Sequence, residues 1–165
     1  MQRDQKKQIV GLGGIHVSRS PGEIIKTMAL GSCIGVVMVA PKQRAVGMAH
    51  IVLPESKIDM ERARDVPGYF ADSGIQALIE EFRKFDVKSN RDLVVKLAGG
   101  ASVMDANRTF DIGKRNVLAC RKALWRNHMA AIAEDVGGSF SRTVWVEVNT
   151  GRVFVTSPGR GRWEL

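Results

Sequence analysis

Cys33, His50 and Thr27 fall within one stretch, TMALGSCIGVVMVAPKQRAVGMAHIVLP. A thiol beside an imidazole can do nucleophilic chemistry: the ring takes the proton and the thiolate attacks. Whether the two groups meet depends on the elements that carry them. Cys33 ends the small-residue turn Gly31-Ser32-Cys33 and opens the apolar run IGVVMV. After the polar break PKQR, a second apolar run, AVGMAHIV, carries His50 near its far end. Two apolar runs joined by a short polar loop predict a β-hairpin, although this loop lacks an Asn-Gly turn. With the loop tip near Lys42, Cys33 falls opposite or diagonal to His50. Directly opposed side chains on one face stand about 5 Å apart. Sharing a face requires an even number of loop residues, because a one-residue slip sends the two groups to opposite faces.

A free cysteine commonly packs as a small hydrophobe, and a strand histidine is often a satisfied core group, so the neighbours carry weight. Gly31 permits a tight turn or the close approach of a substrate backbone. Consecutive amides at Ser32 and Cys33 can point at a developing oxyanion. Thr27 lies on the preceding apolar segment EIIKTMAL. Its hydroxyl would orient the imidazole as the third member does in other triads. The competing reading of Thr27 is an ordinary β-former.

The chain has 165 residues and is 44% hydrophobic, enough for one domain with a genuine core. No apolar stretch is long enough to span a bilayer, and the charged start MQRDQKKQ lacks the apolar segment of a secretory signal. The expectation is a cytoplasmic protein without membrane insertion. Cys33 and Cys120 are far apart and form no CxxC pair, which argues against a disulfide framework or a cysteine-based zinc site. Cys120 reads as core packing. His16 and His128 have no acidic or cysteine cluster at ligand spacing, so neither metal nor other cofactor is expected. The net charge of +8 permits an acidic partner, but the charges are scattered and aromatics make up only 6%. Interleaved stacking and basic residues are missing, so nucleic acid is not the expected partner.

A single domain over 1–165 is expected, with polar tails at about 1–8 and 159–165. Residues 10–17 and 23–30 read as extended, separated by the turn SRSPG. The hairpin follows and ends at Pro54, and residues 56–69 read as a polar loop able to border a site. Asp72 or Ser73 can cap a helix with Ile75, Leu78, Ile79, Phe82 and Phe85 on its apolar stripe. A short strand, DLVVKLA, breaks at Gly99-Gly100, which mark a tight turn or close backbone approach. A long helix is predicted from 114 or 115 to 135, ended by Gly137-Gly138. The finish is a second hairpin, TVWVEV and RVFVT about the turn NTG. Strands before and after two helices predict an α+β layered sandwich with mostly antiparallel strands. The apolar faces of the first hairpin predict cover on both sides.

The threonine, the Leu-Gly-Ser-Cys segment and the Gly-Met-Ala-His segment ending in Leu-Pro resemble the signature of the CheD family of chemoreceptor glutamine deamidases. The likeness continues through PGYFADSGI, KLAGGASVM, IGKRNV, DVGG and VNTG, spanning residues 10–157. One departure is Ser141-Arg142, where the family commonly has Gly-Arg. The resemblance implies that Cys33 is the nucleophile, His50 the general base and acid, and Thr27 the group orienting His50. It implies hydrolysis of glutamine side chains on chemoreceptor cytoplasmic helices to glutamate and ammonia, with glutamyl methyl ester hydrolysis as a secondary activity. In some bacteria it also implies regulation by a CheC-type phosphatase. Two rivals remain: a non-enzymatic adaptor that docks to receptors or to such a phosphatase, and a thiol protease.

Overall fold

The described residues, 5–103 and 110–165 of this computed structural model, form ten strands and three α-helices. In chain order these are β1 (Lys6–Ile9), β2 (Ile15–Ser18), β3 (Glu23–Leu30), β4 (Ile34–Ala40), β5 (Ala45–Ile51), α1 (Met60–Asp65), α2 (Ala71–Arg83), β6 (Val94–Gly99), α3 (Ile112–Arg126), β7 (Ala131–Val136), β8 (Arg142–Glu147), β9 (Val153–Ser157) and β10 (Gly161–Glu164). One sheet has the order β1-β3-β8-β9-β10 and the other β2-β5-β4-β6-β7. Pairing is antiparallel except for β1 with β3 and β6 with β7. This is the expected α+β sandwich.

Side-chain alternation divides the interior into two layers. Val37, Val46, Met48 and Ala98 of the second sheet meet Ile25, Leu30, Val144, Val146, Val153 and Val155 of the first. The opposite face of the second sheet, with Ile34, Val36, Met38, Ala49 and Ile51, packs under Ile75, Leu78, Ile79 and Phe82 of α2 and Val117, Cys120 and Leu124 of α3. The β4–β5 hairpin is therefore covered on both sides, as its apolar faces required, and Cys120 is core. In β8, Val144 and Val146 are buried while Trp145 and Glu147 are not, the expected alternation.

Three stretches depart from expectation. The long helix ends at Arg126, and residues 131–136 form β7 beside β6. His128 adopts φ 58°, and the bonds from His128 N to Trp125 O and from Met129 N to Leu124 O close a Schellman turn. The turn is easily missed because its left-handed residue is not glycine. Within 56–69, Asp59 accepts a hydrogen bond from Arg62 N and caps α1, so part of the expected loop is helical. The two ends, expected as tails, carry strands: β1 pairs with β3, and β10 with β9. Trp163 Nε1 donates to Asp135, which ties β10 to β7 in the other sheet. Asp135 also binds Arg142, buried in β8, at 2.9 Å, and Arg142 reaches Gly137 O at 2.8 Å. The residues after the double-glycine turn thus hold the two sheets together.

Candidate active site

Register decides whether the thiol and imidazole share a face. Ala40 pairs with Ala45, so Pro41 to Arg44 form a four-residue loop, an even number. Ile34 pairs with Ile51 and Gly35 with His50. Cys33, one residue before β4, therefore stands diagonal to His50 on the same face, about 7 Å apart as strand positions. That face looks between the sheets, where Cys33 packs against the inter-sheet core. Thr27 comes from β3 on the other sheet. The structure thus gathers Cys33, His50 and Thr27 at one end of the space between sheets. Gly35 makes room for this approach: a Cβ there would lie 3.2 Å from Leu30 and 3.5 Å from Thr27 Cγ2.

Thr27 is fully buried, and its Oγ1 lies 2.7 Å from both Val10 O and His50 Nδ1. A carbonyl can only accept, so the single hydroxyl proton goes to Val10 O. Both contacts are then satisfied only if His50 Nδ1 carries a proton and donates it to Thr27. Nε2 is left with its lone pair free, buried and without a hydrogen-bond partner among the described residues. The His50 main chain is fixed as well, by bonds to Gly14 O and from Gly13 N. Burial pushes the His50 pKa below its ordinary 6.5, only partly opposed by the nearby main chain of Val10. The ring is therefore a neutral base at neutral pH.

Cys33 is half-buried, and burial raises its thiol pKa above the ordinary value, against a smaller lowering by its own backbone amide. A neutral imidazole offers no cationic charge to stabilise a thiolate, so proton transfer must accompany attack.

A cleft of about 420 Å³ opens onto Cys33, walled by Gly31, Ser32, Cys33, Ala101, Val103 and Phe110 among others. It suits an extended apolar side chain with a polar head. In the turn that carries the thiol, Gly31 N is already bonded to Ala29 O at 3.0 Å. Ser32 N and Cys33 N have no hydrogen-bond partner among the described residues. Gly31 instead serves through its carbonyl, which accepts from Ala101 N at 2.8 Å. A bulge between Thr27 and Leu30, with Ala29 at φ 56°, turns Met28 and Ala29 outward before Leu30 returns to the core.

Two features escaped the residue-level reading. Gly99, at φ 115°, passes so close that a Cβ would sit 2.1 Å from Cys33 O, and Gly100 N donates to that oxygen at 2.9 Å. Only the backbone approach, not its target, was legible. Asn116 of α3, fully buried, donates to Ser32 O and Val52 O, both at 2.9 Å. Its signal was a polar residue on the apolar stripe of an amphipathic helix. His16, by contrast, faces Glu23 at 2.7 Å, and Ser18 Oγ donates to the same carboxylate at 2.9 Å, an arrangement that satisfies a buried acid.

The family described as CheD chemotactic sensory transduction matches residues 52–157. The chain is 49% identical to the probable chemoreceptor glutamine deamidase CheD of Syntrophotalea carbinolica, over 95% of this chain and 98% of that protein. It is 40% identical to probable chemoreceptor glutamine deamidase CheD 1 of Syntrophus aciditrophicus, with the same coverage. With the chemoreceptor glutamine deamidase CheD of Thermotoga maritima it shares 38% identity over 94% of each chain.

Proposed function

This chain belongs to the CheD family of chemotactic sensory transduction proteins and is a chemoreceptor glutamine deamidase; from that premise we propose that its reaction runs through a Cys33 thioester. His50 Nε2 takes the Cys33 proton as sulfur adds to the side-chain carbonyl carbon of a glutamine. The carbonyl oxygen becomes an oxyanion facing the free turn amides. His50 returns the proton to the nitrogen, ammonia leaves, and a glutamyl thioester remains. Water then gives its proton to the same Nε2 and attacks the thioester. Collapse restores the thiol and releases glutamate. Thr27 keeps the ring in the one tautomer that presents Nε2 throughout. An ester enters the same acyl intermediate, so glutamyl methyl esters are a secondary substrate.

The observation that carries this reading is the Thr27 hydroxyl, fixed by Val10 O so that it can only accept from His50. It leaves a buried unpartnered base on the face of a cleft-lining thiol. The substrate is the cytoplasmic helical part of a chemoreceptor, which places the work in the cytoplasm; no helix among the described residues is long and apolar enough to cross a membrane. Each conversion adds a negative charge to a receptor helix and increases repulsion between neighbouring carboxylates. A CheC-type phosphatase able to mimic that helix would compete for the cleft.

Mass spectrometry of a receptor fragment incubated with the protein tests the proposal. Selected glutamines should become glutamates, and Cys33→Ala should abolish the change. Conversion by Cys33→Ala at the wild-type rate would remove the thioester from the mechanism. Peptide-bond cleavage products would point instead to a thiol protease.

A further inference from the structure

A buried amide on an otherwise apolar helix stripe has to be explained by what it holds. Asn116 is fully buried in α3, whose other buried residues are Gly113, Val117, Cys120, Ala123 and Leu124. Its amide can be placed only one way round, because the reverse would set Oδ1 against two carbonyl oxygens. In this orientation Oδ1 has no partner among the described residues, so the residue is not optimised for its own hydrogen bonding. Both of its donors serve the neighbourhood of the thiol.

The first acceptor, Ser32 O, belongs to the peptide unit whose N–H is that of Cys33. No peptide bond is cis among the described residues, so this N–H points away from the carbonyl that Asn116 holds. Drawing on the carbonyl also polarises the amide and strengthens its N–H as a donor. On the far side of Cys33, its carbonyl accepts from Gly100 N, so both peptide planes flanking the residue are tied. The second acceptor, Val52 O, follows β5 one residue beyond Ile51, which pairs with Ile34. One side chain therefore binds the nucleophile's turn to the strand that carries His50.

We infer that Asn116 is a positioning residue that aims the Cys33 amide at the oxyanion formed when the thiol adds to the substrate carbonyl. The inference rests on Cys33 being the nucleophile. The Cys33 amide has no other hydrogen-bond partner among the described residues and faces its own sulfur. It therefore lies beside the carbon that would become tetrahedral.

The test uses the full chain carrying Asn116→Ala and compares three rates or affinities. Deamidation of a receptor fragment should lose about ten- to a hundredfold in kcat, below the loss from deleting an oxyanion donor outright, with KM within about threefold. Affinity for a receptor peptide bearing an aldehyde in place of a glutamine carboxamide should fall in step with kcat, since its adduct forms the same oxyanion. Alkylation of Cys33 by chloroacetamide should keep its rate within about twofold at each pH, because attack at a saturated carbon forms no oxyanion. An unchanged kcat overturns the inference. So does an equal loss of deamidation and alkylation, which would mean that the thiol itself had moved. Should the variant fail to fold, the wild-type protein decides: the Cys33 amide proton must move downfield when the aldehyde adduct forms, and an unmoved resonance overturns the inference. A Cys33→Ala variant that still deamidates would defeat the nucleophile assignment itself. An inert Cys33→Ala beside a fully active Asn116→Ala would defeat only the role given to Asn116.

Discussion

Replacing Thr27 by valine removes one hydroxyl and keeps the side-chain volume. Two buried groups then lose their partner, Val10 O and His50 Nδ1–H, both 2.7 Å from the missing oxygen. Each buried orphan costs about 1–3 kcal/mol, so the variant should lose about 2–6 kcal/mol of stability. Catalysis loses the bond that fixes the tautomer. At about 1.5–3 kcal/mol and tenfold per 1.36 kcal/mol, kcat should drop about ten- to a hundredfold. His50→Ala deletes the base altogether and should cost more, about a hundred- to ten-thousandfold. Thr27→Ser restores the hydroxyl at the price of a methyl-sized gap, and should regain most of the rate. Initial rates on a receptor fragment, followed by mass spectrometry, with a thermal melt to confirm folding, provide the assay. If Thr27→Val deamidates within about twofold of wild type, the tautomer argument is wrong. If it is as inert as His50→Ala, Thr27 does more than orient.

The pH dependence follows from burial at both groups. His50 must be neutral to act, and its pKa lies below 6.5, so the acid limb of kcat/KM should have its midpoint below pH 6.5. A midpoint above that value would contradict the buried neutral ring. Because the folded pKa is lowered, His50 contributes stability that is complete above pH 6.5 and is lost as pH falls through the folded pKa, measurable as a declining melting temperature. Cys33 alkylation should stay slow at neutral pH and rise toward alkaline pH, since its thiol is shifted upward; a fast plateau at pH 6 would instead indicate a thiolate–imidazolium pair. Gly99→Ala forces a Cβ to 2.1 Å from Cys33 O at φ 115° and should cost about 3 kcal/mol or more, together with activity. A wild-type melt and rate would show that the backbone there can yield. Lys114 and Arg115 are exposed and without ion pairs among the described residues, immediately after the cleft-lining Gly113. Reversing both charges should raise KM several-fold with little change in kcat, and added salt should weaken wild-type substrate binding in the same direction. A KM indifferent to salt would remove electrostatics from recognition.

The hairpin was legible because its physics is local. Apolar runs on either side of PKQR set the register, and an even loop put Cys33 and His50 on one face. The two-sided cover of that hairpin followed from its lack of polar alternation. What stayed hidden depended on contacts distant in sequence. That Val10 O would fix the Thr27 proton, and so the imidazole tautomer, requires β1 and β3 to be parallel neighbours. No periodicity in either segment says so. β7 was hidden because AIAEDV continues a helical composition, and only pairing with β6 makes it extended. The upward shift of the thiol pKa stayed hidden for a related reason. Sequence shows that a histidine is near, but not that burial leaves it uncharged.

Thr27 and His50 belong to different sheets, joined across an apolar interior. A chain in which only one sheet has formed possesses the sulfur but lacks a correctly turned base. On the proposed mechanism, competence therefore arrives with the docking of the two layers and not with either one. A nascent or partly melted molecule is then expected to be chemically silent toward the glutamines of other proteins, because the interlayer contact that completes the fold would also arm the enzyme.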